Sequence, residues 1–516
     1  MFSVVGCLNS VSSEAEGLIE HRPKKSKMDT FTTSKRQTFR RRILLRPWKN
    51  RVAFLMLLAI ALWQCTSTPS TDNDGGEVEG EAEGLTIGPG GYVDPPPVRT
   101  YPTSAERING WINELATDSI RAHAWDIWES ITTTTTSGLP VWETWYTGHE
   151  LFEMGGIDSE NRPLFRDFEF PTQFFHTSVL TSPPIDVAER PTSFNRFTQS
   201  VANYIWDHGY NEASVLTQIN DSFNASGTPI AERQIQTSAD TIDAKSIVLK
   251  PVFQFIEGNR PTAIPYWAGV SVESTTNLTN PEPYTWRQCV VVDPTGNLRP
   301  GTTHSMSCNG APAQEWPVIS MDDFYNVLIT QEQADSFSTF ALESGDDLGE
   351  DNKGDSASVA DLVKPGNYAL LMAMHVTGKE VNKWTWQTFW WSHFPDNALY
   401  GKDRPSTITG PWDNYNMRTA YYMVAPANTP FGGEPLISYN PYLETNLSGT
   451  VPMENIADSS IRWYGVFSNC MSCHRMAAYP SSNYVPDGYI DPADSFKFSA
   501  NTKTDFLWSI PTRAQQ

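Results

Sequence analysis

A chain of 516 residues with 37 basic and 59 acidic side chains carries a net charge of −22 and is long enough for more than one domain. That balance excludes nucleic acid as a partner, because phosphate binding needs the opposite sign; it suits basic protein partners, or serves solubility alone. Residues 22–51 run against this trend, being strongly basic, and lead into "VAFLMLLAIALW", twelve apolar residues from Val52 to Trp63. Twelve residues suit the core of an export signal and are too few to span a bilayer comfortably. In "LWQC", Leu62 and Cys65 stand where a lipoprotein signal places its Leu and its lipidated Cys. Trp63 and Gln64 depart from the small residues usual just before the cut. Residues 1–65 therefore read as a lipoprotein-type export signal, with lipidation at Cys65 anchoring the protein to a membrane in the periplasm or on the outer face of the cell. Without them the chain keeps 25 basic and 55 acidic residues. Residues 66–100 are Gly, Pro, Ser, Thr and acidic, with too few apolar side chains to offset the entropy of ordering, so they are expected to form a flexible tether.

From residue 101 the pattern becomes that of a folded protein. Thr103 and Glu106 have the spacing of a capping box, opening a helix with Ile108, Trp111, Ile112 and Leu115 on one face. Ile120, Ala124, Ile127, Trp128 and Ile131 continue at helical spacing, and Phe194, Phe197, Val201, Tyr204 and Ile205 mark another helix. The middle is strand-like: "SIVLKPVFQFI" (246–256), "RQCVVVD" (287–293) and "NYALLMAMHV" (367–376) are apolar or β-branched runs bounded by turn residues. The acidic stretch 343–357 lacks calcium-loop spacing and reads as a solvated insertion. No internal linker stands out. The expected fold is α+β, with one large mixed domain over 101–450 and a short, mainly helical or irregular C-terminal segment over 451–516.

That segment holds the sharpest motif in the chain, "SNCMSCHRM" at 468–476, in which Cys470 and Cys473 are followed at once by His474. With 6 Cys and 9 His in the chain, composition alone yields on the order of 0.001 such pentapeptides. The spacing suits two thiols adding to the vinyl groups of one porphyrin edge while the adjacent imidazole takes an axial position on iron. A dithiol redox pair would want a βαβ setting and gains nothing from the His. A zinc site would want four clustered ligands, and the sequence offers no second Cys pair.

Through Cys470, Cys473 and His474 the sequence resembles the c-type cytochromes. The stretch "MHVTGKEVNKWTWQTFWW" (374–391) is also similar to a group of bacterial proteins known only as cytochrome c family members. The resemblance implies one covalent haem c, with Cys470 and Cys473 as thioether anchors and His474 as the proximal iron ligand. Covalent haem attachment of this kind takes place outside the bacterial cytoplasm, in agreement with an export signal. Cys7 and Cys65 lie in the leader, which leaves Cys289 and Cys308 as an even pair in an oxidising compartment, and a disulfide is expected between them.

The distal iron ligand is not in the motif's own segment. Nothing after Met476 is Met or His, and Met476 is too near His474 to reach the opposite face of the ring. A distal ligand must come from the large domain, and the candidates are His375, at the end of an apolar strand, and Met417 in "NYNMRTAYYM". For His375 the competing reading is a hydrogen-bonded structural histidine. His149 in "GHELFE" lacks the second His of a zinc-protease pair. The cluster Trp384, Trp386, Phe389, Trp390 and Trp391 could pack a haem, relay electrons, stack sugars or simply fill a core. The function expected is electron transfer by an exported, membrane-tethered monohaem protein, with a redox partner such as a basic soluble cytochrome. An oxidoreductase with its substrate site in the large domain would account for the size, although no nucleophile, metal cluster or dinucleotide loop is recognisable. The alternative is an aromatic-rich lipoprotein that binds a ligand, or senses one through haem, without carrying electrons.

Overall fold

The structure is a computed structural model. It describes residues 85, 91–154, 192–193, 195–235, 243, 245–267, 288–308, 311–335, 363–396, 400–427, 433–438, 440–444, 452–454, 461–463, 468–480, 485 and 488–514, all within one unit, Glu79–Gln516. The leader with Cys65, most of the tether, Phe194, the 343–357 stretch and the 450/451 boundary lie outside the described residues.

Helices α1 (Ala105–Glu114) and α2 (Thr117–Thr132) come first. Ser104, not Thr103, caps α1 by accepting from Arg107 N, because the Thr103 backbone is drawn instead to Glu380 Oε1 at 2.8 Å. Ile108 and Ile112 are buried as expected, while Leu115 ends the helix exposed in a left-handed turn. Residues 91–100, expected in the tether, are packed. Trp145 Nε1 donates to Val93 O at 3.0 Å, and the Arg99 guanidinium pairs with Asp126 and Glu129, both at 2.6 Å. Three prolines already stiffen this stretch, so ordering it costs less than its composition suggests.

The main sheet is built from β1 (Tyr146–Thr147), β2 (Thr192–Ser193), β3 (Arg196–Phe197), β4 (Ile247–Ile256), β9 (Asn326–Leu328), β10 (Tyr368–Gly378), β11 (Thr385–Trp391) and β12 (Tyr415–Thr419). Its order is β1-β3-β4-β10-β11-β12, with β2 on β4 and β9 on β10, all antiparallel. A smaller sheet, β5 (Thr262–Pro265), β6 (Cys289–Val292), β7 (Thr303–Cys308) and β8 (Ala311–Ile319), runs in the order β5-β6-β8-β7, with β6 and β8 parallel. The expected Cys289–Cys308 disulfide is formed and ties β6 to β7. Helices and mixed sheets together make the fold α+β. Phe197, expected in a helix, lies in β3, and the helix begins at Gln199. Among the described residues no helix is long and apolar enough to cross a membrane.

Pleating of the main sheet separates two sets of side chains. Lys250, His375 and Thr388 are paired neighbours on one face; Pro251, Met374, Phe389 and Met417 align on the other. Helix α2 covers the second face, where the Trp128 ring stacks on Phe389 at 4.2 Å. The register of β10 with β4 slips between Leu371 and Ala373. A single extra residue there turns Leu371 away from the face shared by Ala373 and His375, which strict alternation would have put together. The C-terminal segment covers part of the first face. Cys470, Met471, Met476, Phe506, Leu507 and Trp508 share one core with Val201, Ile205, Leu216, Trp384 and Trp386, so the segment is an integral wall of the fold.

Candidate functional site

The pentapeptide forms a short helix, α6 (Cys470–Arg475). Cys470, Cys473 and His474 stand at i, i+3 and i+4, the spacing that puts three side chains on one helical face. Asn469 caps it, its Oδ1 accepting from Ser472 N at 2.9 Å. The same side chain donates to Leu436 O at 2.8 Å and Tyr422 O at 3.2 Å, and Ser472 Oγ donates to Gly488 O at 2.6 Å. The start and the middle of the motif are thereby fixed to surrounding loops.

Between α6 and the sheet lies a cleft of about 920 Å³, counting the solvent at its mouth. Lys250, His375, Thr377 and Trp386 line it from the sheet; Cys470, Cys473, His474, Leu507 and Trp508 line it from the C-terminal segment, with Leu443 and Glu444 beside them.

His474 is oriented for ligation. Its Nδ1 lies 2.8 Å from Phe506 O. A carbonyl only accepts, so Nδ1 carries the proton and Nε2 keeps a free lone pair. Burial pushes the His474 pKa down to about 3, against the pull of the Phe506 carbonyl, so the ring is neutral at pH 7. Trp386 packs against it with ring centroids 4.4 Å apart. The Phe506 carbonyl is itself held in place. Asp505 and Phe506 have φ of 49° and 69°, a left-handed backbone that costs on the order of 1–3 kcal/mol per residue and persists only where surroundings enforce it. Here Lys379 Nζ donates to both Asp505 oxygens, at 2.8 and 3.1 Å, and Trp384 Nε1 donates to Oδ2 at 3.2 Å.

The thiols are not poised for redox exchange. Burial, aided by the Glu444 carboxylate, raises Cys470 well above the usual thiol range and Cys473 to about 12, whereas an exchange-active Cys needs a lowered pKa. They are unpaired.

On the opposite wall His375 Nε2 lies 2.5 Å from Glu444 Oε1, and its buried Nδ1 has no hydrogen-bond partner among the described residues. Glu444 accepts from Asn440 N, and Asn440 Nδ2 bonds Thr388 Oγ1 at 2.7 Å and Phe389 O at 2.9 Å, so the carboxylate is tied to β11. Lys250 is half-buried beside His375, and burial lowers its pKa to about 8.

Of the residues singled out from sequence, Cys470, Cys473, His474 and His375 meet in this cleft. Met417 does not. It is fully buried in the core on the α2 side of the sheet, because its place in β12 opposite Phe389 turns it away from His375. His123 is buried between Tyr421 Oη and Glu380, and His149 bonds Glu153; neither lines the cleft. The aromatic cluster is buried throughout, and of its members Trp386 alone lines the cleft. Lys250, Glu444 and Asp505 had not been singled out. Lys250 leaves one trace, a charge inside an apolar strand, and the two carboxylates leave none.

The donor set can hold a porphyrin iron by thioether links at Cys470 and Cys473 and by an axial bond to His474 Nε2. The freed lone pair, the two adjacent thiols and the unpartnered His375 nitrogen across the cleft all fit that group. No family model matches the chain, and no curated protein or solved structure matches it either.

Proposed function

We propose that the protein is an exported monohaem c protein that transfers single electrons. The observation that carries this reading is the convergence of Cys470, Cys473 and a neutral His474 with free Nε2 on one wall of a cleft, facing His375 on the other. Bound haem supplies a reversible one-electron iron couple. The chain's own residues divide the remaining work. Cys470 and Cys473 would hold the group covalently, and the Phe506 carbonyl fixes the imidazole orientation of His474. Leu507, Trp508 and Trp386 exclude water from that wall. His375 is the candidate distal ligand, with Glu444 holding its ring as carboxylates hold metal-bound histidines. The tether and leader would keep the protein at a membrane surface, and the acidic balance favours a basic redox partner.

A second reading, a haem protein that binds or senses a small ligand, is favoured by the polar set Lys250, His375 and Glu444 in the same cleft. Reversible redox cycling without added ligand separates the two.

Haem attachment is tested by intact mass after co-expression with bacterial haem-attachment machinery. The parent should carry one covalent haem and the Cys470→Ala/Cys473→Ala variant none. An unmodified parent, or equal loading in both, ends the reading.

A further inference from the structure

The fold supplies what the sequence withheld from a metal site. One donor atom each from His375, Glu444 and Cys470 lie within 4.8 Å of one another. Cys470 and Glu444 are buried and His375 is half-buried. Metal–ligand lengths of about 2.0–2.3 Å in a tetrahedral zinc site imply ligand–ligand spacings of roughly 3.3–3.8 Å. Closing the group onto an ion therefore needs side-chain movements of about 1 Å.

We propose that the chain without haem holds one divalent ion of the zinc class between His375, Glu444 and Cys470. The donors are a nitrogen, an oxygen and a sulfur, the set that zinc and cobalt accept and that calcium and magnesium do not. Two features of the enclosure point to a ligand. His375 Nε2 and Glu444 Oε1 face each other at 2.5 Å, a pair that parts by about 1 Å to take a cation between them, and among the described residues His375 Nδ1 is buried with no partner. Lys250, the only Lys or Arg lining the cleft among the described residues, opposes a hard cation bound by charge alone. A thiolate and an imidazole add bonding that charge alone does not give. Cys473 lines the same cleft one helical turn on, which leaves the fourth position to it or to water. Such an ion would keep the reduced Cys470 thiol from pairing with Cys473. The site shares Cys470 with the proposed haem attachment, so the two occupants exclude each other, yet the metal inference does not depend on the haem reading.

The test is a titration of Co²⁺ into the reduced full-length chain made without haem-attachment machinery. One equivalent should saturate a cobalt–thiolate charge-transfer band that Zn²⁺ removes and Mg²⁺ does not. Cys470→Ser should abolish the band, which also separates this site from Cys7 and Cys65. His375→Ala and Glu444→Gln should weaken binding at least tenfold, since even partners behind the ligands typically account for about 10–100-fold. His393 packs on Tyr266 and does not line the cleft, so His393→Ala should leave binding unchanged. X-ray absorption on the cobalt-loaded parent counts sulfur and nitrogen ligands without any variant. A haem-loaded chain should take up no cobalt. A folded parent without the band, an unchanged band in His375→Ala, or equal cobalt uptake by haem-loaded protein overturns the inference. Failure of the haem reading would instead appear as an unmodified mass, whatever the cobalt result.

Discussion

His375 and Met417 lie in the same antiparallel sheet, and the pleat decides between them as distal ligands. His375 is flanked by Lys250 and Thr388 on the cleft face, while Met417 pairs with Phe389 on the face that α2 covers. Met417→Ala should act as a core truncation, costing about 2–5 kcal/mol and leaving the spectrum of the haem-loaded protein unchanged. His375→Ala should cost about 1–3 kcal/mol, through the Glu444 carboxylate left without its partner, and should open ferrous iron to carbon monoxide. Urea melts and ferrous spectra with and without carbon monoxide check both variants. If His375→Ala still excludes carbon monoxide like the parent, His375 is structural. At His474 the depressed pKa makes a claim about pH. The unfolded imidazole takes up its proton near pH 6.5, the folded one only near pH 3. Stability contributed by the neutral ring is therefore full above pH 6.5 and is lost as pH falls toward 3. The urea midpoint of haem-free protein should drop over that window, less steeply in His474→Ala than in the parent; equal slopes would contradict the assignment. These residues also mark how far a sequence can be read at this scale. The pentapeptide is legible because its chemistry sits in five consecutive positions. Glu444 is not, because its meaning lies in reaching a strand far back in the chain.

At the scale of elements, apolar runs located the strands, and their details escaped for nameable reasons. The bulge at Leu371–Ala373 depends on pairing with β4, which no property of β10 alone reveals. The α1 cap shifted by one residue because Glu380, from the connection just after β10, captured the Thr103 amide. The same tertiary control governs the turn at 505–506. Its two left-handed residues are held by Lys379 and Trp384 from the β10–β11 connection, and burial lowers the Lys379 pKa while raising that of Asp505. Lys379→Met would leave a buried carboxylate without its counterion, a loss of about 3–5 kcal/mol. It should also loosen the Phe506 carbonyl and with it the orientation of His474. The expected outcome is a lowered urea midpoint together with a heterogeneous haem spectrum. Adding Asp505→Asn should restore most of both, because Asn tolerates left-handed backbone, can still accept from Trp384 and carries no charge. A double variant as unstable as Lys379→Met alone would mean the turn is held by something other than this ion pair.

Across the whole molecule, the late position of the motif follows from which cores are shared. Among the described residues the C-terminal segment has no core of its own; it completes one with β11 and the helices after β3, so one wall of the cleft depends on packing against the large domain. The disulfide sheet is a separate matter. Cys289 and Cys308 sit with Ala263, Val291, Trp316 and Val318 in a small core that includes none of the residues lining the cleft. Their bond closes a loop of 19 residues, which in the chain-entropy account stabilises by about 3 kcal/mol. Effects at sites without shared partners add rather than couple. Replacing both cysteines by Ala should therefore lower the thermal midpoint by a few degrees while the covalent haem load by intact mass stays at the parent's level. A parallel fall in haem load would show that the small sheet props up a wall of the cleft, and the two cores would have to be treated as one cooperative unit.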